Sequence, residues 1–205
     1  MESLVIRSGE IVAVDAASPA DGRHLLRILA TLASPESGRY RFNGDIVALN
    51  DYRRCLSVKR RIGYVAADAA MISNRTLREN LLLSRFYYEN DLSIDLDETV
   101  TRLCTQAGLH TKLHWRPSEL SDGELQKAIM IREIGKYPAV MLIDRPENFM
   151  TLVEDDRLFN HLKNMIHSGT AAVFLSLNRQ VNEMANRRLT LTGKEIREGV
   201  TPSPT

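Results

Sequence analysis

"IVAVDAASPADGRHLLRILATL", residues 11–32, is the stretch on which the fold turns. Its first four residues are apolar and mostly β-branched, which reads as a buried strand. Further on, Leu25, Leu26, Ile28, Leu29 and Leu32 make a broad apolar helical face. Between them stands "DAASPADGRH", a short loop of small residues. A strand, such a loop and a helix can hold phosphate, because backbone N–H groups at a helix N-terminus point at one anion. Yet this loop has no lysine, no threonine and a single glycine, Gly22.

Outward from this stretch the elements alternate. "SPESG" (34–38) supplies proline and glycine to stop the helix. "RYRF" alternates charge with aromatic rings, and Asn43-Gly44 is a hairpin signal before "DIVAL". The basic run "YRRCLSVKRR" (52–61) reads as a solvated helix face leading into the buried strand "IGYVAA". From Ser73 to Glu124 the pattern is mostly helical. Thr76 with Glu79 makes a capping box before "LLLSRFYY". After the polar connector "ENDLSIDLDE", Val100, Leu103, Cys104 and Ala107 repeat at helical spacing until Gly108. Ser121 with Glu124 makes a second capping box, followed by the stripe Leu125, Ala128, Ile129 and Ile134, then Gly135 and Pro138. The runs "AVMLID" (139–144) and "AAVFLSL" (171–177) flank a helix carrying Leu158, Phe159, Leu162, Met165 and Ile166. "LTLTGKEIRE" reads as a closing hairpin and "VTPSPT" as a frayed tail. Strands apolar throughout, alternating with helices, predict an α/β fold with a parallel sheet.

Composition narrows the function. The 205 residues carry 27 Lys and Arg against 26 Asp and Glu, a formal net charge of +1. Such a balance leaves no electrostatic footprint for nucleic acid, so no nucleic-acid partner is expected. No apolar stretch has the length of a membrane span, and "MESLVIRSGE" lacks the features of a secretory signal, which predicts a cytoplasmic setting. Cys55 and Cys104 suggest neither a zinc site nor a disulfide framework. His110 and His114 stand four apart in "LHTKLHWRP", which reads as a loop with no third ligand beside it. No Ser-His-Asp, paired-carboxylate or dinucleotide fingerprint is present.

The order of parts resembles the ATP-binding-cassette (ABC) transporter ATPases over nearly the full length. "SGEIVAV" with "LLRILATLASPESGRYRFNG" is similar to the segment around their phosphate loop, and "RRIGYVAADAAMISNRTLRENLLL" to their glutamine-loop region. "PSELSDGELQKAIMIREI" resembles their signature motif and its helix, "YPAVMLIDRPEN" their magnesium-binding strand, and "AAVFLSLNRQ" their switch-histidine strand. "PSELSDGE" is most similar to the branch serving MCE-type lipid transporters. The resemblance implies an ABC-ATPase (P-loop NTPase-like) α/β core at 1–72 and 125–205. It places an inserted α-helical subdomain at 73–124, including the signature, and implies a truncated N-terminal β-subdomain. Family members begin with extra strands bearing an aromatic ring for adenine, whereas here no aromatic residue precedes Tyr40.

The chemistry departs from the family. Ala16, Pro19 and Asp21 stand where its phosphate-loop glycines are expected, Gly22 in the lysine slot, and Arg23 and His24 in the hydroxyl slots. Pro19 removes an N–H, and Asp21 brings negative charge toward phosphate. Arg23 could supply a cation from a neighbouring position. The magnesium-sensing glutamine falls on Ala67, the dimer-contact aspartate on Thr151 and the switch histidine on Leu177. Asp144 is retained as a vestigial magnesium position. The residue after it, which should activate water, is Arg145, and a guanidinium cannot accept a proton. In the signature Ser121, Gly123 and Glu124 remain while Asp122 replaces the first glycine. In the family that serine and glycine bind the γ-phosphate of ATP held by the other subunit. Ser121 with Glu124 is also a helix cap, and both readings stand. Phe86, Tyr87 and Tyr88 read as core, although this neighbourhood faces a permease helix in the family.

These residues predict a non-catalytic, pseudo-ATPase subunit with no catalytic residues and no cofactor of its own, Mg-ATP being held only by a partner. The partner implied is another ABC ATPase subunit or a second copy, with or without a membrane permease. A permease would hold the chain peripherally on the inner face of the membrane. Two alternatives remain open: half of an asymmetric heterodimer that completes a partner's ATP site in trans, and a free regulatory module.

Overall fold

A computed structural model describes residues 4–91, 93–149, 156–193 and 195–198. In chain order the elements are β1 (Ile11–Ala16), α1 (Pro19–Leu29), β2 (Arg41–Phe42), β3 (Asp45–Ile46), α2 (Tyr52–Lys59), β4 (Ile62–Val65), α3 (Leu77–Glu89) and α4 (Glu98–Gln106). They continue with α5 (Asp122–Ile134), β5 (Val140–Asp144), α6 (Arg157–His167), β6 (Ala171–Leu175), α7 (Arg179–Glu183), β7 (Arg187–Thr192) and β8 (Glu195–Glu198). Among the described residues the main sheet runs β4–β5–β6–β1–β7–β8. Its neighbours pair in parallel except β8, which returns antiparallel to β7.

The alternating sides of these strands build two cores, because successive side chains on a strand face opposite ways. Val12, Val14, Leu142, Val173 and Leu175 pack under Leu26 of α1 and Val58 of α2. Met141, Ile143, Ala172 and Phe174 face Leu103, Ile129 and Leu162 of α4, α5 and α6. Residues 122–134 form one continuous helix, which crosses the expected boundary between 124 and 125.

Several local expectations are corrected. Helix α1 ends at Leu29, and Thr31 turns left-handed with φ 58°, so Leu32 leaves the helix and is 48% exposed. The hairpin strands shrink to two residues each around Asn43 and Gly44, whose φ values of 52° and 90° suit a tight primed turn. The short α7 lacks an apolar period long enough to announce it. The predicted tail at 200–205 lies outside the described residues.

From Ala128 to Ile134 helix α5 is buried nearly all round rather than on one stripe, and Glu133 is buried with it at 3% exposure. Its carboxylate accepts from the Tyr64 N–H at 3.2 Å, from Arg132 Nε at 3.0 Å, and from Lys136 Nζ. Tyr64 lies on β4, the outer strand of the sheet, so Glu133 satisfies an N–H that has no neighbouring strand. Asn80, also buried, accepts from Ile72 N at 2.8 Å and donates to Ile72 O at 3.1 Å and Thr76 O at 3.0 Å, tying the loop after β4 to α3. At the opposite edge β8 carries Glu195, Arg197 and Glu198, with Glu195 and Arg197 paired at 2.8 Å. Cys55 and Cys104 are both buried free thiols, and burial pushes Cys104 up to about 12.

Candidate functional site

The C-terminal ends of the parallel strands meet the start of α1, where ligands bind in open α/β sheets. The geometry there is unlike a phosphate cradle. β1 runs to Ala16 and α1 begins at Pro19, so Ala17 and Ser18 alone connect them. Pro19, Asp21 and Gly22, read as loop positions, lie inside the helix. The Gly22 N–H bonds Ser18 O at 3.1 Å and the Ala17 N–H bonds Leu191 O at 3.0 Å, leaving neither for an anion. A Cβ on Gly22 would stand 2.6 Å from Leu175 Cδ1, 2.9 Å from Cδ2 and 3.0 Å from the Ala16 Cβ. Leu175 therefore fills the space that a lysine stem would cross. These residues do not fit a triphosphate. Arg23 and His24 are exposed on the next turn.

Asp144 closes β5 with only 2% of its surface exposed, and its Oδ2 has no hydrogen-bond partner among the described residues. Burial pushes its carboxyl up, opposed by the charge of Arg23, an N–H from Ala67 and the charge of Arg145, while Asp68 adds to the rise. Burial also raises the Tyr64 phenol, with Asp144 contributing. Arg145 is left-handed at φ 56°, just before Pro146, and its N–H bonds Leu175 O at 2.8 Å. A non-glycine residue adopts that conformation at a cost of about 1–2 kcal/mol. Leu177, at the switch position, is 81% exposed. Beside it the buried Ser176 donates to Glu147 Oε2 at 2.8 Å and accepts from the Asn178 N–H at 2.9 Å. Glu147 had no sequence signal, because its role comes from β5 and β6 lying side by side. Thr151 lies outside the described residues.

The signature residues group separately, around the first turn of α5. Ser121 Oγ accepts from the Glu124 N–H at 3.4 Å and donates to Glu124 Oε2 at 3.0 Å, while Glu124 Oε2 accepts from the Ser121 N–H at 3.0 Å. Lys112 Nζ holds the other Glu124 oxygen at 2.5 Å, and the bond to Lys112 followed by the Ser121 N–H draws that carboxyl down to about 2. Asp122 and Gly123 are exposed, with open space where a Gly123 Cβ would lie. The cap is thus formed whether or not a phosphate ever approaches. Ser121→Ala should cost about 0.5–2 kcal/mol, while Ser121→Asp keeps an acceptor for the Glu124 N–H but sets a second carboxylate against Glu124 Oε2, so it should recover only part of that loss. Urea denaturation of the two variants checks this.

His110 begins a short 3-10 turn and both it and His114 are exposed. Among the described residues no group of three His, Cys, Asp or Glu side chains could hold a metal ion. The aromatic run is only partly core. Phe86 and Tyr88 are half-buried, but Tyr87 is 59% exposed and hydrogen-bonds Tyr52, itself 60% exposed on α2. Lys59 Nζ lies 4.9 Å from the Tyr52 ring, Arg60 lies 5.7 Å from the Tyr88 ring, and Tyr88 Oη donates to Leu56 O at 3.1 Å. The basic helix and the aromatic helix end, read separately in sequence, form one junction. Only the tertiary fold brings them together.

Comparison with known proteins adds to this geometry. The chain is 28% identical over 197 residues to the macrolide export ATP-binding/permease protein MacB of Azoarcus sp., spanning 96% of the chain but 29% of that protein. It is 28% identical over 198 residues to the lipoprotein-releasing system ATP-binding protein LolD of Myxococcus xanthus, spanning 96% of the chain and 88% of that protein. The solved dimer of MJ0796, a bacterial ABC transporter cassette, superposes with a TM-score of 0.76 at 19% identity, covering 95% of this chain and 88% of that one. That structural likeness speaks for the fold. The family description "ABC transporter" matches residues 3–148. Most of the chain lies within that match, and the chain belongs to the ABC transporter ATP-binding family.

Proposed function

We propose that this chain is a pseudo-ATPase member of its family, which neither holds nor hydrolyses ATP by itself and acts by pairing with a complete cassette, a membrane permease, or both. The single observation that carries the proposal is the folding of positions 19–22 into α1, with Gly22 seated on Leu175. Ala67, Arg145 and Leu177 add to it, because sensing, water activation and switching have each lost their side chain. The Tyr52–Tyr87–Tyr88 junction, with its exposed rings and basic rim, suits an apolar permease helix that carries acidic residues. No helix among the described residues is long and apolar enough to cross a membrane, so attachment at the inner face would run through such a partner. The narrower likeness to the MCE lipid-transport branch rests on residues 117–124 alone.

Thermal unfolding with and without millimolar Mg-ATP tests the proposal. A ligand at 100 times its Kd stabilises by about 2.7 kcal/mol, which for a chain of this size raises Tm by roughly 5–10 °C. The expected result is no shift. A reproducible Mg-ATP-dependent rise would overturn the reading.

One observation favours a second reading, the trans site. Ser121 and Gly123 are exposed at the start of α5, with open space above the glycine. If they complete a partner's ATP site, Ser121→Asp should keep the fold and assembly yet abolish ATPase activity of the assembled complex. Unchanged activity leaves the cap as the residue's role. Recovery with neither a cassette nor a permease would point instead to a free regulatory module.

A further inference from the structure

The basic run around α2 has two working sides. Tyr52, Lys59 and Arg60 belong to the aromatic junction with α3. Arg54, Val58 and Arg61 stand at i, i+4 and i+7 and share another side. That side and the β2–β3 hairpin enclose a cavity of about 260 Å³. Its apolar part is built by Phe42 with the buried Val47 and Val58. Two guanidinium side chains also line it. Arg54 Nε pairs with Asp51 at 3.2 Å. Arg61 has no ion pair or side-chain hydrogen bond among the described residues, and its guanidinium carbon lies 5.6 Å from the centre of the Phe42 ring. Asp45, on the hairpin, is the one acid among the lining residues and pairs with neither arginine.

We propose that this cavity binds a small organic monocarboxylate carrying one ring or a short branched chain. Size sets the apolar part. A cavity of about 150 Å³ takes a benzene ring, whereas drug-sized ligands need about 300–1,000 Å³. Charge sets the rest. Arg61 offers paired N–H donors that match both oxygens of a carboxylate, and the Phe42 ring beside it narrows the positions its guanidinium can take. Arg54 adds a second positive charge. Asp45 opposes a second negative charge on the ligand, which favours a monoanion over a dianion. The ligand's ring covers Phe42, Val47 and Val58 and takes apolar surface out of water. A bare inorganic anion would leave that surface wet. The site uses a side of α2 that the aromatic junction does not, so nucleotide or permease binding by the chain neither supports nor removes it.

Benzoate is the probe, titrated into the full chain and followed by amide chemical shifts. Saturable shifts should cluster on Phe42, Asn43, Val47, Ser57 and Val58, with a Kd of about 1–5 mM, as suits so small a ligand. Arg61 is exposed, so Arg61→Gln should keep the fold while raising Kd about tenfold, the loss of a charged hydrogen bond. Arg61→Lys should fall between, since an ammonium keeps the charge without the paired donors. Two controls need only the parent chain. Benzyl alcohol has the ring without the charge, and sulfate the charge without the ring. Each should bind at least about tenfold more weakly than benzoate. Benzyl alcohol binding as tightly as benzoate, sulfate shifting the same amides at the same concentration, or an unchanged Kd in Arg61→Gln would overturn the proposal. So would benzoate shifts that scatter over the surface or are absent at about 20 mM.

Discussion

Glu133→Ala is expected to destabilise the chain by about 3 kcal/mol, toward the lower end of the cost of breaking a buried ion pair. Truncation strands three donors at once. The Tyr64 N–H loses its acceptor at 3.2 Å, and Arg132 and Lys136 are left facing a hole. The Arg132 and Lys136 side chains are 15% and 22% exposed and can turn partly to water, which keeps the cost from the top of the range. Glu133→Gln retains an acceptor for the strand N–H while losing the charge, so roughly half the effect should remain. Urea denaturation reads both. In a chain of this size 3 kcal/mol corresponds to a fall in Tm of roughly 6–12 °C. A loss below about 0.5 kcal/mol for the alanine variant would mean that water already satisfies the cluster.

Gly22→Lys, the substitution that would restore the family's phosphate-binding lysine, should damage the fold instead of repairing the site. Replacing glycine in a helix interior gains about 0.5–1 kcal/mol of helix propensity. Against that, the new Cβ would sit 2.6 Å from Leu175 Cδ1 in a packed core, and overpacking costs about 1–3 kcal/mol. The clash should win, with a net loss of about 1–2 kcal/mol and no gain of Mg-ATP binding. Adding Leu175→Ala removes both clashing methyl groups. The double variant should therefore recover part of the loss, if the two effects couple as contacting residues do. A Gly22→Lys protein as stable as its parent, or one that melts higher with Mg-ATP, would show that Leu175 yields and that the loop still accepts phosphate.

The two predictions mark where sequence is informative. Apolar, largely β-branched runs located the strands around 11–16, 62–65, 140–144 and 171–175, although the first and third also take in Asp15 and Asp144. Both capping boxes were visible at Thr76 and Ser121, since a cap is a relation between residues three apart. The site was legible only as substitutions. That Gly22 is matched to Leu175 is a contact between α1 and β6, far apart in sequence, and no local pattern encodes it. Glu133 was hidden for the opposite reason. In "IREIGK" it stands beside Arg132 and three residues before Lys136, a charged setting that gives no sign of burial, yet α5 is buried around most of its circumference from Ala128 on. Leu32 fails on a single backbone angle, the left-handed turn at Thr31, which apolar spacing does not register.

The two edges of the main sheet limit where a partner can dock. At β8 the side chains of Glu195, Arg197 and Glu198 put alternating charge along the outermost strand, and Arg187 is bound to Glu198. Charged edge strands resist strand addition, which is how soluble β-sheets avoid sticking to one another. At the other edge β4 is four residues long and one of its N–H groups is already taken by Glu133. Neither border invites a foreign strand. Copies of the chain should therefore resist joining edge to edge through the described sheet, which leaves the ends of the strands and the helical faces as its open surfaces.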